Sequence, residues 1–121
     1  MVDKRALNPA SGTLTNVAAG NVIGTVVPAN MRRYIYKLKV NNEFAGANEL
    51  TLGYSADNGV TLLPVGGLDR IPFQVVGGIW NDPDELSENA LPIYIIPAGN
   101  QISGLTDNGI VRVYVLYEDS E

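Results

Sequence analysis

The chain has 121 residues, 45% hydrophobic and 17% charged, with thirteen acidic against eight basic side chains and a formal net charge of −5. That length suits one domain and falls short of two. There is no cysteine and no histidine, which excludes disulfides, thiolate metal sites, cysteine nucleophiles and the commonest general base.

The acidic balance argues against nucleic acid as the main partner, because phosphate binding needs a basic face. The charged share lies below the roughly 25% of an average domain. Two accounts fit so thin a polar coat: a surface partly covered in the working state, or a compact monomer rich in Thr, Asn and Ser. No apolar run is long enough for a membrane span, and the N-terminus lacks the pattern of a signal peptide. The expectation is a soluble product made and kept in the cytosol, with no membrane partner.

Residues 1–13 carry no periodic pattern and contain Asn8-Pro9 and Ser11-Gly12, so they are expected to form an extended N-terminal arm ahead of a domain spanning 14–121. The first apolar run is Asn21 to Val27, halted at Pro28. Arg32 to Val40 alternates strictly, with Tyr34, Tyr36, Leu38 and Val40 expected inside and Arg33, Ile35, Lys37 and Lys39 outside. Glu49 to Tyr54 repeats the device with Leu50, Leu52 and Tyr54 inward, and Asp57-Asn58-Gly59 supplies a tight turn. Val60 to Val65 and Arg70 to Val76 contain Pro64 and Pro72, which remove ladder donors and assign both runs to edges or interrupted strands.

Asp82-Pro83-Asp84-Glu85 offers an N-cap, a proline at the first helical position and acids in the first turn, predicting a short helix over 83–89. Leu91 to Ile96 is apolar on both faces and is expected to be buried on both. Asn100 to Leu105, a turn at Thr106-Asp107-Asn108-Gly109, and Ile110 to Tyr117 close the domain. In the last run Val111, Val113, Val115 and Tyr117 share one face, and Glu118 to Glu121 follows as an acidic tail. About eight strands and one short helix predict an all-β, jelly-roll-like sandwich.

Candidate chemistry is sparse. Asp82, Asp84, Glu85 and Glu88 could offer hard oxygens to calcium, but the glycine and spacing of an EF-hand loop are missing, and acids at a helix start are already explained by the dipole. Asp57, Asp69 and Asp107 read as turn residues ahead of glycosidase carboxylates. No cofactor, metal or catalytic residue is assigned. Arg33, Lys37 and Lys39 form a basic strand face: a solvated edge-protecting strand, a docking surface for an acidic protein, or, last in order, a single-stranded nucleic-acid platform with Tyr34 and Tyr36. Ile79 and Trp80, after Gly77-Gly78, are expected at a loop tip or short edge, where Trp80 either anchors an interface or plugs one end of the sandwich.

With the strands in place, residues 20–118 resemble the small jelly-roll decoration (cement) proteins of tailed-phage heads. The resemblance rests on Leu91-Pro92-Ile93-Tyr94-Ile95-Ile96-Pro97-Ala98-Gly99-Asn100, on Thr106-Asp107-Asn108-Gly109 and on Val111 through Glu118. It implies a homotrimer on the outer capsid surface that holds copies of a major capsid protein together, with an N-terminal arm and no enzymatic activity. A carbohydrate-binding module using Trp80 and tyrosines, or a filament or spike subunit, are the competing expectations.

Overall fold

The computed structural model describes residues 7–64, 70–73, 78–82 and 90–121. They form an antiparallel β-sandwich of ten strands: β1 (Asn8–Leu14), β2 (Val22–Ile23), β3 (Arg32–Asn42), β4 (Asn48–Ser55), β5 (Leu63–Pro64), β6 (Arg70–Phe73), β7 (Ile79–Asp82), β8 (Tyr94–Ile96), β9 (Gln101–Thr106) and β10 (Val111–Ser120). Sheet A runs β1-β10-β3-β7, with β8 also on β3; sheet B runs β2-β9-β4-β5, with β6 also on β4. No helix occurs among the described residues, and the helix expected over 83–89 lies outside them.

The topology follows from one long ribbon rolled up. β7 and β8 pair with different stretches of β3, and β5 and β6 with different stretches of β4, so each pair acts as one broken strand. Counted that way, the N-terminal half pairs with the C-terminal half in reverse order: β1 with β10, β2 with β9, β3 with β7 and β8, β4 with β5 and β6. Rolling that ribbon brings β10 against β3 and β9 against β4, which closes the two sheets in the jelly-roll order. The prolines fall where a missing donor costs least. Pro64 and Pro72 sit in β5 and β6, outermost in sheet B, as the sequence reading required.

The core lies between the sheets. Leu14, Ile35, Leu38, Val40, Val111, Val113 and Val115 contribute from sheet A, and Ile23, Leu50, Leu52 and Ile102 from sheet B. Tyr54 and Tyr117 pack against this cluster, as the period-two readings of β4 and β10 anticipated.

The alternation expected for β3 fails in its first half. Lys37 stands opposite Leu116 and Ile35 opposite Tyr117, so Tyr36 is an extra residue, a β-bulge. The bulge reverses the phase: Arg33 and Ile35 turn inward with Leu38 and Val40, while only Lys37 and Lys39 keep their outward place. Several other expectations are corrected. Residues 8–13 of the expected arm belong to β1, paired with β10 at every position, and residues 1–6 lie outside the described residues. The run at 21–27 contributes only Val22–Ile23 to a sheet. Leu91 to Ile96 is not buried on both faces, since Leu91 is 82% and Ile95 47% exposed. Of the two placements expected for Ile79–Trp80, the short edge holds and the loop tip does not: they form half of the four-residue outermost strand β7, with Trp80 opposite Val40. The acidic tail is the end of β10, running through Ser120.

The turn at 57–60 matches its sequence signal. Asn58 and Gly59 take φ of 60° and 87°, and the Val60 N–H reaches Asp57 O at 3.4 Å, a type I′ geometry. The Ser55 hydroxyl donates to Asp57 Oδ1 at 2.6 Å and the Thr61 backbone N–H to the same oxygen at 2.8 Å. These bonds, the Ser55 one foremost, hold the Asp57 carboxyl down at about 2. A depressed native pKa means the contribution is present above the ordinary carboxylate value near 3.9 and fades as pH falls toward 2. Asp57→Asn is therefore expected to lower Tm at pH 7, with the gap to the parent narrowing between about pH 4 and pH 2. Thermal melts across that range test it, and a gap that stays constant refutes it.

Candidate functional site

The outer faces of the two sheets differ. The outer face of sheet B is partly roofed by its own connections. A Cβ on Gly53 would collide with the Leu63 carbonyl, so the chain entering β5 crosses tight over β4. One on Gly59 would lie 2.5 Å from Ala18 O, so the 57–60 turn packs on the 15–21 segment, while Leu105 farther along β9 is 36% exposed. The Ser103 hydroxyl donates to Asn21 O, and Asn21 Nδ2 to Gly104 O at 3.1 Å, pinning the roof.

Sheet A carries no such cover among the described residues. Its ladder places Lys37 beside Leu116, Lys39 beside Tyr114 and Asn41 beside Arg112 on the outer face, because directly paired residues project to the same side. Lys37, Lys39, Asn41, Arg112 and Tyr114 line a shallow depression of about 470 Å³. Three of the five are cations and none is a carboxylate, in a chain of net charge −5. Apolar groups share the face: Ile79, opposite Asn41, is 57% exposed, Ile95, opposite Tyr34, is 47% exposed, and Tyr114 is 37% exposed.

Local chemistry sorts the cations. Arg112 Nε donates to Glu43 Oε2 at 2.9 Å and Nη2 to Oε1 at 3.4 Å, a forked pair at the rim that lowers the Glu43 pKa. Lys39 is exposed. Asn41 Oδ1 is screened from water and has no donor among the described residues.

Of the residues singled out from the sequence, Lys37, Lys39 and Ile79 meet on this face. Trp80 is in the adjacent strand β7. Arg33 does not belong with them: it is 2% exposed, inside the sandwich. Its Nε and Nη2 donate to Asp119 Oδ1 and Oδ2 at 2.7 and 2.8 Å, Nη1 donates to Thr25 O at 2.6 Å, and its guanidinium carbon lies 4.0 Å from the centre of the Tyr117 ring. It is a structural cation, and its expected interface role is corrected.

Asn41, Arg112 and Tyr114 were missed. The alternation of β10 already set Arg112 and Tyr114 on its outer face, but only the β3–β10 register carries them to the lysines. Among the described residues no three potential metal ligands cluster, and Asp84, Glu85 and Glu88 lie outside them. Asp107 acts within a turn contact, accepting from the Glu49 N–H at 2.8 Å, and Asp69 lies outside the described residues.

No protein-family model, curated protein or solved structure matches this chain.

Proposed function

We propose that the protein is a structural, non-enzymatic virion component: an oligomeric decoration protein that docks through the outer face of sheet A onto an acidic surface of a tailed-phage capsid. The observation carrying this reading is an asymmetry among the described residues: the outer face of sheet B is partly covered by its own connections, whereas that of sheet A is uncovered, carries Lys37, Lys39 and Arg112, and exposes Ile79, Ile95 and Tyr114. Apolar groups beside Lys37 and Lys39, with Arg112 paired to Glu43 at the rim and Glu118 opposite Tyr34, suit a large protein partner whose acidic groups meet the two lysines. Burial of the apolar centre supplies affinity, while the charges orient the encounter and reject wrong partners.

The test is co-sedimentation with expanded tailed-phage shells at low and high salt. The parent is expected to bind and to weaken as salt rises, and Lys37→Glu with Lys39→Glu to lose at least tenfold in affinity. A parent that ignores every shell, yet binds a sugar in a manner abolished by Tyr114→Ala, would replace this reading with a carbohydrate-binding module.

A further inference from the structure

The edges of the two sheets are unequal. β2 and β5 have two residues each, β8 three, and β6 and β7 four, with Pro64 and Pro72 in β5 and β6. Short length and proline are the devices by which proteins blunt exposed edges. β1 is the exception. It has seven residues, pairs with β10 without a register shift, and holds no charged side chain. No strand pairs with its other side among the described residues.

Pro9 reveals which groups of β1 face outward. It has no N–H, yet it occupies a rung of the ladder opposite Leu116. In an antiparallel pair alternate residues bond to the neighbour, so the bonds to β10 are made by Asn8, Ala10, Gly12 and Leu14. Pro9, Ser11 and Thr13 therefore turn their backbone groups away from β10, and all three are exposed. The edge offers two N–H donors, from Ser11 and Thr13, and three carbonyl acceptors.

From this geometry we infer that β1 pairs antiparallel with β1 of a second copy across a two-fold axis, joining two A sheets into one. Donors and acceptors match under that symmetry. With Ser11 opposite its own counterpart, the two Ser11 residues exchange a pair of bonds, and each Thr13 N–H meets the partner's Pro9 carbonyl. A homotypic edge places like residues near like, which a charged strand would oppose and this neutral one does not. The contact is separate from the outer face of sheet A, and it is two-fold where the phage resemblance implied a three-fold association.

Light scattering behind a sizing column, with the full chain, tests the pairing. The parent is expected at twice the chain mass. Ser11→Pro removes one outward donor, a change that Pro9 shows this edge can hold without loss of the β10 ladder. It should shift the dissociation constant at least tenfold toward monomer, with an unchanged circular dichroism spectrum. Thr13→Lys, which sets a charge on the edge, should do the same. A parent that is monomeric or trimeric overturns the inference, as does a dimer indifferent to both variants. Loss of shell binding with the dimer intact would strike only the proposed function.

Discussion

Asp119→Ala is expected to cost about 3–5 kcal/mol and to lower Tm by roughly 10–20 °C. Arg33 lies 2% exposed under the sandwich edge, and its only anionic partner among the described residues is Asp119, held by two bonds of 2.7 and 2.8 Å. Removing the carboxylate leaves a buried guanidinium whose remaining partners among the described residues are Thr25 and the Tyr117 ring. An uncompensated buried charge is far more expensive than the pair was favourable. Two controls sharpen the measurement. Deleting residues 118–121 should destabilise at least as much as Asp119→Ala, since it removes the same carboxylate along with the end of β10. Arg33→Met, which removes the fully buried charge and leaves a carboxylate that is 19% exposed, should cost less than Asp119→Ala. Equal or smaller loss for Asp119→Ala in urea unfolding would show that the ion pair is not what holds this corner.

Asn48→Asp is expected to cost about 3 kcal/mol or more at pH 7, by the same physics at the opposite end. Asn48 is 3% exposed. Its Oδ1 accepts from the N–H groups of Asn108 and Gly109 at 3.2 and 3.3 Å, and its Nδ2 donates to Gly109 O at 2.9 Å and Asn42 Oδ1 at 3.2 Å. These bonds fasten the turn before β10 to the start of β4. An aspartate has nearly the same shape but turns an oxygen toward two oxygens, at a position only 3% exposed. Its native pKa must then rise above the unfolded value near 3.9. The variant should be closest to the parent below about pH 4 and lose ground as pH rises through the raised pKa. Denaturant titrations at pH 4 and pH 7 decide the matter, and a deficit that does not grow with pH would remove the argument.

Both predictions concern residues whose roles were invisible in the sequence, and the reason is the same for each. Arg33 alternates with Lys37 and Lys39 as though it shared their face, and the bulge at Tyr36 breaks that phase. A bulge is selected by the partner strand and by the break between β7 and β8 on the other side of β3, neither of which is near in sequence. Glu118 to Glu121 looked like a solvated tail because it is acidic. Yet Asp119 keeps the inward parity of Val111, Val113, Val115 and Tyr117, and that was the one local sign of a buried partner. Asn108 reads as a turn residue, but Asn42 ends β3 and Asn48 opens β4 without a sequence signal, and the Asn108 N–H that Asn48 accepts lies 60 positions away.

The sequence by itself determined the class of fold. Strict alternation in Lys37 through Val40, Leu50 through Tyr54 and Val111 through Tyr117 can satisfy only a half-buried strand, since the side-chain period of two is a property of the extended backbone. It also determined the edges, through Pro64 and Pro72, and the turn at Asn58-Gly59, through the low cost of positive φ there. What only the tertiary structure decided is pairing. β1 has no apolar pattern of its own, with Ala10, Gly12 and Leu14 facing inward, and it becomes a strand because β10, about a hundred residues away, offers it a ladder. The depression on sheet A likewise exists only once Lys39 stands beside Tyr114 and Asn41 beside Arg112. Local periodicity reports which way a side chain points, whereas register, and with it every site shared between strands, is set by long-range contacts that no short window contains.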